Sequence, residues 1–248
     1  MGRAHEVRAK AMAATAAAKS ALYNRMSRDI YLAAKKGSTD PNSNIALRSV
    51  IEKAKKAQVP SHVIDNAIKK AAGGSGEALN LVVYEGYGPG NSAIIVEALT
   101  DNKNRTASNV RSIFGKRGGA MGETGSVAFN FERIGYIEYP LSVADADKMF
   151  EEALEAGANE VVSEDDIHAI ETIPDDLSTV TESLEQKFGT PSASRLDWKP
   201  TVKTDITDLE TAKKFLEFID ALEEDEDVQH VYHNAEIAED VLAELEAE

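Results

Sequence analysis

Apolar positions recur at helical spacing through the first part of the chain. Leu22, Met26, Ile30 and Ala33 fall on one helical face, with Arg28 and Lys35 near the opposite face and Arg25 at its flank. This pattern predicts an amphipathic helix ending at Gly37, and Asp40-Pro41 breaks the chain after it. Leu47, Val50, Ile51 and Ala54 mark a second helix, which carries Arg48, Lys53, Lys55 and Lys56 and is stopped by Pro60. A third begins near Ser61, turns Val63, Ile64, Ala67, Ile68 and Ala71 inward, and bears Lys69 and Lys70 near its end. Gly73-Gly74 terminates it. Three short helices, each with its own apolar stripe, predict a small bundle.

After the glycine-serine stretch 73–76 the period becomes that of strands. Strands are predicted over 81–85 and 92–100, with 86–91 as a turn between them, followed by a helix over 104–116 and a strand over 126–131. The stretch 135–204 then reads strand 136–139, helix 143–156, strands 160–162 and 167–173, helix 176–188 and strand 195–203. That order is βαββαβ, the ferredoxin-like unit. The tail supplies one helix over 208–222, one strand over 228–232 and a short acidic helix. Residues 80–134 lack a second helix and a fourth strand, and the tail has one of each without a sheet of its own. The two are therefore expected to combine. The expected fold class is α+β and multi-domain, an N-terminal three-helix domain followed by two α/β domains, at least one of them ferredoxin-like. The expected boundaries are a basic helical domain 1–76, a discontinuous α/β domain 77–134 plus 205–248, and an inserted acidic ferredoxin-like domain 135–204.

Charge sharpens this division. The net charge of -16 argues against a nucleic-acid partner if spread evenly, but it is segregated. Residues 1–72 hold 14 Lys+Arg against 5 Asp+Glu, 73–134 hold 6 against 6, and 135–248 hold 7 against 32. The helical bundle is thus a cationic module on an acidic body. The absence of cysteine excludes disulfides, thiolate catalysis and cysteine-ligated metal sites. The N-terminus lacks a leucine-rich signal core, and the longest apolar run, Ala93 to Leu99, is interrupted by Glu97, far short of the roughly 20 residues that span a bilayer. A cytoplasmic protein with no membrane contact is expected.

The candidate chemistry is sparse. Gly86-x-Gly88-x-Gly90 lies between two strands, whereas a phosphate-binding glycine loop opens a helix, so it reads as a turn. Asp101-Asn102-Lys103-Asn104-Arg105-Thr106 joins a strand to a helix, with Asn104 as the expected N-cap and Lys103 and Arg105 beside the free amides, an arrangement suited to phosphate. The histidines His5, His62, His168, His230 and His233 form no metal-ligand spacing, and His230 and His233 should point to opposite faces of a strand. The carboxylates of 135–248 read as solvated faces, and Glu223-Glu224-Asp225-Glu226-Asp227 as a loop. Tyr23 and Tyr31 are the aromatics of the basic module, so phosphate contact is expected ahead of base stacking. No nucleophile, base and orienting group form a set, so no catalytic residue, metal or cofactor is expected, although an enzyme whose glycine loops hold a phosphorylated ligand is a lesser alternative.

The ordered set Ala33-Ala34-Lys35-Lys36-Gly37, Asp40-Pro41, Val59-Pro60, Ala67-Ile68-Lys69-Lys70, Tyr84-Glu85-Gly86-Tyr87-Gly88-Pro89, Asp101 to Thr106 and Gly125-Ser126-Val127 resembles the YebC/PmpR family over most of the chain. The opening Met1-Gly2-Arg3-Ala4-His5-Glu6-Val7-Arg8 departs from the commonest family start, His-Ser-Lys-Trp-x-Asn-Ile-Lys, and is closer to a second bacterial subgroup. The resemblance implies a helical domain with two α/β domains and a non-enzymatic regulator of gene expression. Members are described as DNA-binding transcriptional regulators or, among mitochondrial translational activators and some bacterial relatives, as ribosome-associated factors that aid synthesis of proline-rich stretches. The expected partner is therefore DNA, or alternatively ribosomal RNA, with a protein partner for the acidic domain. The expected contacts are Arg25, Arg28, Lys35, Lys36, Arg48, Lys53, Lys55, Lys56, Lys69 and Lys70, extended by the matching loop Asn102, Lys103, Asn104, Arg105 and Thr106.

Overall fold

The structure, a computed structural model, describes residues 22–73, 79–164 and 166–246. His5, residues 1–10, the alanine-rich run 11–18 and Gly74 to Gly76 lie outside the described residues. The first helix, α1, occupies 22–36, followed by α2 (Ile45–Lys56) and α3 (Ser61–Ala71). Asn44 fixes the first corner: its Oδ1 accepts from the Leu47 N–H at the start of α2, while its Nδ2 donates to the carbonyls of Ala33 and Ser38. Met26, Ile30, Tyr31 and Ala34 of α1 pack with Leu47, Ile51 and Ala54 of α2 and with Ile64, Ala67 and Ala71 of α3. The buried stripe of α1 is thus rotated from the predicted one. Leu22 is exposed, and Tyr31 and Ala34 take the inward positions because the bundle closes on Leu99 of the neighbouring sheet.

That sheet has the order β3-β1-β2-β9, all antiparallel, from β1 (Asn80–Tyr87), β2 (Ala93–Thr100), β3 (Ala120–Met121) and β9 (Val228–His233). The helices α4 (Lys103–Lys116) and α7 (Leu209–Glu223) cover one face, where Phe114 and Phe218 meet edge-on with ring centroids 5.0 Å apart. Every residue of β2 is buried. Ile94 and Val96 face the helices, while Ala93 and Ile95 on the opposite face pack with Val127, Phe131, Trp198 and Tyr232, and Leu99 enters the helical bundle.

The third unit runs β4 (Phe131–Pro140), α5 (Ala146–Ala156), β5 (Glu160–Glu164), β6 (Ile167–Thr172), α6 (Leu177–Phe188) and β7 (Ala193–Pro200). Its antiparallel order β5-β6-β4-β7 is the ferredoxin-like arrangement. Ile137, Tyr139, Met149, Ala153, Ile170 and Leu184 form its core. Beyond it, β8 (Thr204–Ile206) pairs in parallel with β10 (Ala235–Ile237), a ladder too short to show periodicity in sequence, and α8 (Glu239–Glu246) follows. No helix among the described residues is long and apolar enough to cross a membrane.

The predicted strand over 126–131 is instead a turn and a 3-10 segment, Ala128–Asn130, and β4 begins only at Phe131. The cause is Glu85. Its buried carboxylate accepts from the amides of Gly125 at 2.7 Å and of Val127 and Ala128 at 2.9 Å, so these N–H groups are taken out of any ladder. Gly125 has φ +87°, a conformation that glycine adopts without strain. The glycine turn after β1 is packed rather than hollow, with Phe218 and Ile94 against Gly88 and Ile206 against Gly90. Replacing Glu85 by Ala leaves three amides without their acceptor and should lower stability by about 2–4 kcal/mol, with Glu85→Gln in between. Urea denaturation of the three proteins checks this, and equal midpoints would refute it.

Candidate nucleic-acid interface

Among the described residues the structure leaves the expected contact lysines of the helical domain outside ion pairs and pairs three of the four expected arginines, Arg28, Arg48 and Arg105. Lys35, Lys36, Lys53, Lys55, Lys56 and Lys69 are exposed, Lys70 is half-buried, and among the described residues none of the seven is in an ion pair. Arg25, half-buried on α1, is likewise outside the ion pairs. Lys53, Lys55 and Lys56 lie in the last turn of α2, and Lys69 and Lys70 in that of α3, where cations favour the carbonyl end of the helix dipole. Arg48 turns inward, its Nε and Nη2 donating to the two carboxylate oxygens of Glu185 on α6 at 3.1 and 2.8 Å. Arg28 donates to Asp227 at 2.8 Å.

The 102–106 loop is organised around the same aspartate. Asn102, not Asn104, is the N-cap: its side chain accepts from the Arg105 N–H at 3.1 Å, and α4 already begins at Lys103. The cap is set two residues earlier because Thr100 Oγ1 accepts from the Asn102 N–H at 2.9 Å and pins that residue in an extended conformation. Lys103 and Asn104 remain exposed at the helix start. Arg105 donates to Asp227 at 2.9 Å and to Asp101 at 3.1 Å, and Thr106 is buried, its hydroxyl donating to Asp227 at 2.6 Å.

Asp227 therefore gathers Arg28, Arg105, Thr106 and Thr100 at one carboxylate, joining α1 to the middle sheet. Burial pushes its pKa up, but the hydrogen bonds from Thr106 and Arg105 and the charges of Arg28 and Arg105 outweigh this and hold it below the usual carboxylate range. Its reading as part of a solvated acidic loop is corrected: Asp227 is 3% exposed, and its backbone carbonyl accepts from the Leu99 N–H. Run composition conceals this, because one residue at the end of an acidic stretch reaches inward while its neighbours do not. Glu97, in sequence no more than an interruption of an apolar run, also has a structural part. It accepts from Arg133 at 2.9 Å and Trp198 Nε1 at 3.0 Å, tying β2 to the third unit.

On β9, His233 packs edge-on against Phe215 while His230, opposite Glu97, lies on the other face. Among the described residues no group of three or more His, Asp or Glu gathers in a form that could hold a metal ion. Near His230 the seam between α1 and β7 contains Asp29, whose pKa burial raises from 3.8 to about 6 against the pull of Lys53, Arg25 and Arg195. Burial, then Arg195, lower His230 to about 4, with Asp197 opposing and Arg25 and Lys53 adding to the shift.

A carboxyl raised by folding adds stability below its unfolded value and loses it as pH rises through the folded one. For Asp29 that window runs from about 3.8 to 6. His230 has the opposite sense, with stability present above 6.5 and lost as pH falls towards 4. Asp29→Asn should therefore be more stable than wild type at pH 7.5, by at most about 3 kcal/mol, and the gain should vanish near pH 3.5. Parallel urea titrations at the two pH values isolate Asp29 from His230, and a gain independent of pH would contradict this account.

Comparison with known proteins agrees with this architecture. The profile described as the TACO1/YebC protein N-terminal domain matches residues 3–74, and that described as the TACO1/YebC second and third domain matches residues 79–235. The crystal structure of a conserved hypothetical protein, Aq1575 from Aquifex aeolicus, is similar at 43% sequence identity, covering 89% of this chain and 91% of that one with a TM-score of 0.79. With its helical domain and both α/β domains matched in order, the chain belongs to the TACO1/YebC family.

Proposed function

We propose that the protein is a non-enzymatic regulator of gene expression that binds nucleic acid through phosphate contacts from its helical domain, as a DNA-binding transcriptional regulator. The carrying observation is the set of lysines outside ion pairs, Lys35, Lys36, Lys53, Lys55, Lys56, Lys69 and Lys70, on a chain whose net charge is -16. Cations retained on one module of an otherwise acidic chain give the local field that draws a phosphate backbone. Membership of the family supports the regulatory role, and the profile matched over 79–235 bears a transcriptional-regulator name. Lys103 and Asn104, exposed at the start of α4, extend the surface on the middle sheet. Arg28 and Arg48 act beneath it by fixing how the domains are set against one another, and Arg105 braces the Asp227 carboxylate within the middle domain. The acidic third domain repels phosphate and is the surface for a protein partner.

Ribosomal RNA is the second reading, and the residue type of the cations outside ion pairs accommodates it equally. Lysine meets phosphate as a point charge and does not read base edges as a bidentate arginine does, so the surface suits a shaped phosphate array as well as a duplex.

The quadruple variant Lys35→Ala/Lys36→Ala/Lys53→Ala/Lys56→Ala should bind duplex DNA at least tenfold more weakly at moderate salt. Its plot of log affinity against log salt should flatten by about 0.9 for each phosphate that the variant no longer neutralises. Arg48→Ala should leave that slope near wild type while lowering the melting temperature. Fluorescence anisotropy across a salt series and thermal denaturation measure both. Unchanged affinity in the quadruple variant would sink the proposal, and salt-sensitive co-sedimentation with ribosomes in the absence of duplex binding would select the second reading.

A further inference from the structure

We propose that the open edge of β1 at Leu81 and Val83 docks an extended, acidic segment of another protein, which adds to the middle sheet as a further strand. The proposal goes beyond the nucleic-acid reading and does not depend on it. β1 pairs with β2 along its whole length, from Asn80 to Tyr87, but on its other side β3 reaches only Gly86 and Tyr87, and the Gly122 N–H then donates to the Glu85 carbonyl. There the cover ends. Peptide groups alternate in direction along a strand, so the N–H and C=O of Leu81 and Val83 point to the same side as those of Glu85, away from β2. Among the described residues neither has a backbone partner on that side. The result is a ladder of donors and acceptors, repeating roughly every 6.7 Å, that lacks its second strand.

Free edges are ordinarily guarded by charge, proline or a bulge, because they recruit other strands. The other outer strands of the two four-stranded sheets follow this rule. β5 carries exposed Glu160 and Glu164, β7 carries Lys199 and Pro200, and β9 meets β2 with a register shift at Glu97 and Ala98. The open stretch of β1 has none of these devices. It reads Leu81-Val82-Val83-Tyr84, and Leu81 and Val83, opposite Leu99 and Glu97 on the face turned away from α4, are 38% and 39% exposed. Two exposed apolar side chains at alternate positions beside an unpaired ladder are what an added strand uses, the backbone giving affinity and the alternate side chains specificity. A nucleic acid has no alternating N–H and C=O groups at this spacing, so the edge selects a polypeptide.

Charge selects the kind of polypeptide. Leu81 lines the cleft between the domains together with Lys36, and on the other face the Tyr84 hydroxyl donates to the Lys103 carbonyl at 3.3 Å, which sets the exposed start of α4 beside the edge. Lys36 and Lys103 are exposed and, among the described residues, outside ion pairs. The carboxylates of this stretch are already engaged: Glu85 by three amides, Glu97 by Arg133 and Trp198, and Asp101 by Arg105. Asp29, on the cleft wall, lies under the pull of Lys53, Arg25 and Arg195. The charge left for a partner is that of Lys36 on one side and Lys103 on the other, and an acidic segment complements both.

The probe is a fluorescein-labelled peptide of alternating valine and threonine with glutamates at both ends. Its controls are the same peptide with lysines in place of the glutamates and an N-methylated form that cannot pair through its backbone. By anisotropy the full-length protein should bind the glutamate peptide saturably and about tenfold or more tightly than either control. Hydrogen exchange followed by NMR should show the Leu81 and Val83 amides becoming protected as the peptide binds. Val83→Pro removes an edge donor that makes no bond to β2, and should abolish peptide binding while leaving duplex binding near wild type. Lys36→Glu/Lys103→Glu, at two exposed positions, should reverse the preference towards the lysine peptide, which keeps the test decisive if Val83→Pro fails to fold. Equal affinity for the glutamate peptide and its N-methylated form, or no protection of the two amides, overturns the proposal. Protection by an oligonucleotide and not by the peptide assigns the edge to nucleic acid, and protection that grows with protein concentration alone assigns it to a second copy of the chain. Either of these results overturns it as well.

Discussion

The structure depends on one strand being buried on both faces. With Ile94 and Val96 turned to the helices α4 and α7, the other face of β2 offers Ala93, Ile95, Glu97 and Leu99, all removed from water. A two-sided strand in an antiparallel sheet needs a cover on each side. Here the second cover is two separate domains, the helical bundle closing on Leu99 and the ferredoxin-like unit on Ala93 and Ile95. Glu97 stands between them, and a carboxylate at that position is tolerated only because Arg133 and Trp198 reach it. Removing either partner would leave a buried charge short of compensation, so the relative placement of the domains and the neutralisation of Glu97 are a single constraint.

The same logic divides the cations. Arginine is suited to planar, two-point contact with a carboxylate, which Arg48 makes with Glu185, and it also supplies the other partly buried pairs across the seams through single contacts, Arg28 with Asp227 and Arg133 with Glu97. Lysine, more strongly hydrated, is left at the surface of α1, α2 and α3. The negative charge of the body is therefore not only a solvated exterior. Asp227, Glu185 and Glu97 draw arginines out of the pool that a partner could reach, and the field felt outside comes chiefly from the lysines.

How much of this is legible in the sequence follows from the range of each interaction. The helices and most strands are local: the stripe Leu47, Ile51, Ala54 and the order of elements over 135–200 specify a bundle and a βαββαβ unit without knowledge of the neighbours. Where a distant residue decides, local pattern misleads. The 126–131 stretch has strand composition, yet Glu85, far back in the chain, takes its amides. Asn104 looks like a cap until Thr100 and Asn102 are seen to fix the turn earlier. A cationic module is visible by counting, but counting treats Arg28 and Lys35 alike, and only the fold separates a residue held by Asp227 from one facing solvent. A cleft of about 320 Å³ between the domains is invisible in sequence for the same reason, since its lining residues Asp29, Arg195 and Gln229 come from three distant segments.

Salt acts differently on the two classes of cation. Exposed lysines are screened within a Debye length of about 8 Å at physiological ionic strength, so their attraction for a phosphate array falls steeply as salt rises. The seam pairs are partly withdrawn from solvent: Asp227 and Glu97 have side chains 5% and 8% exposed, and screening reaches them less. Binding through the lysines, as proposed, would therefore be released by ionic strength while the seam arginines keep the three domains in register. A surface that lets go without loss of its underlying geometry suits a protein that must bind and leave a nucleic acid repeatedly, and it follows from assigning lysine to the exterior and arginine to the seams.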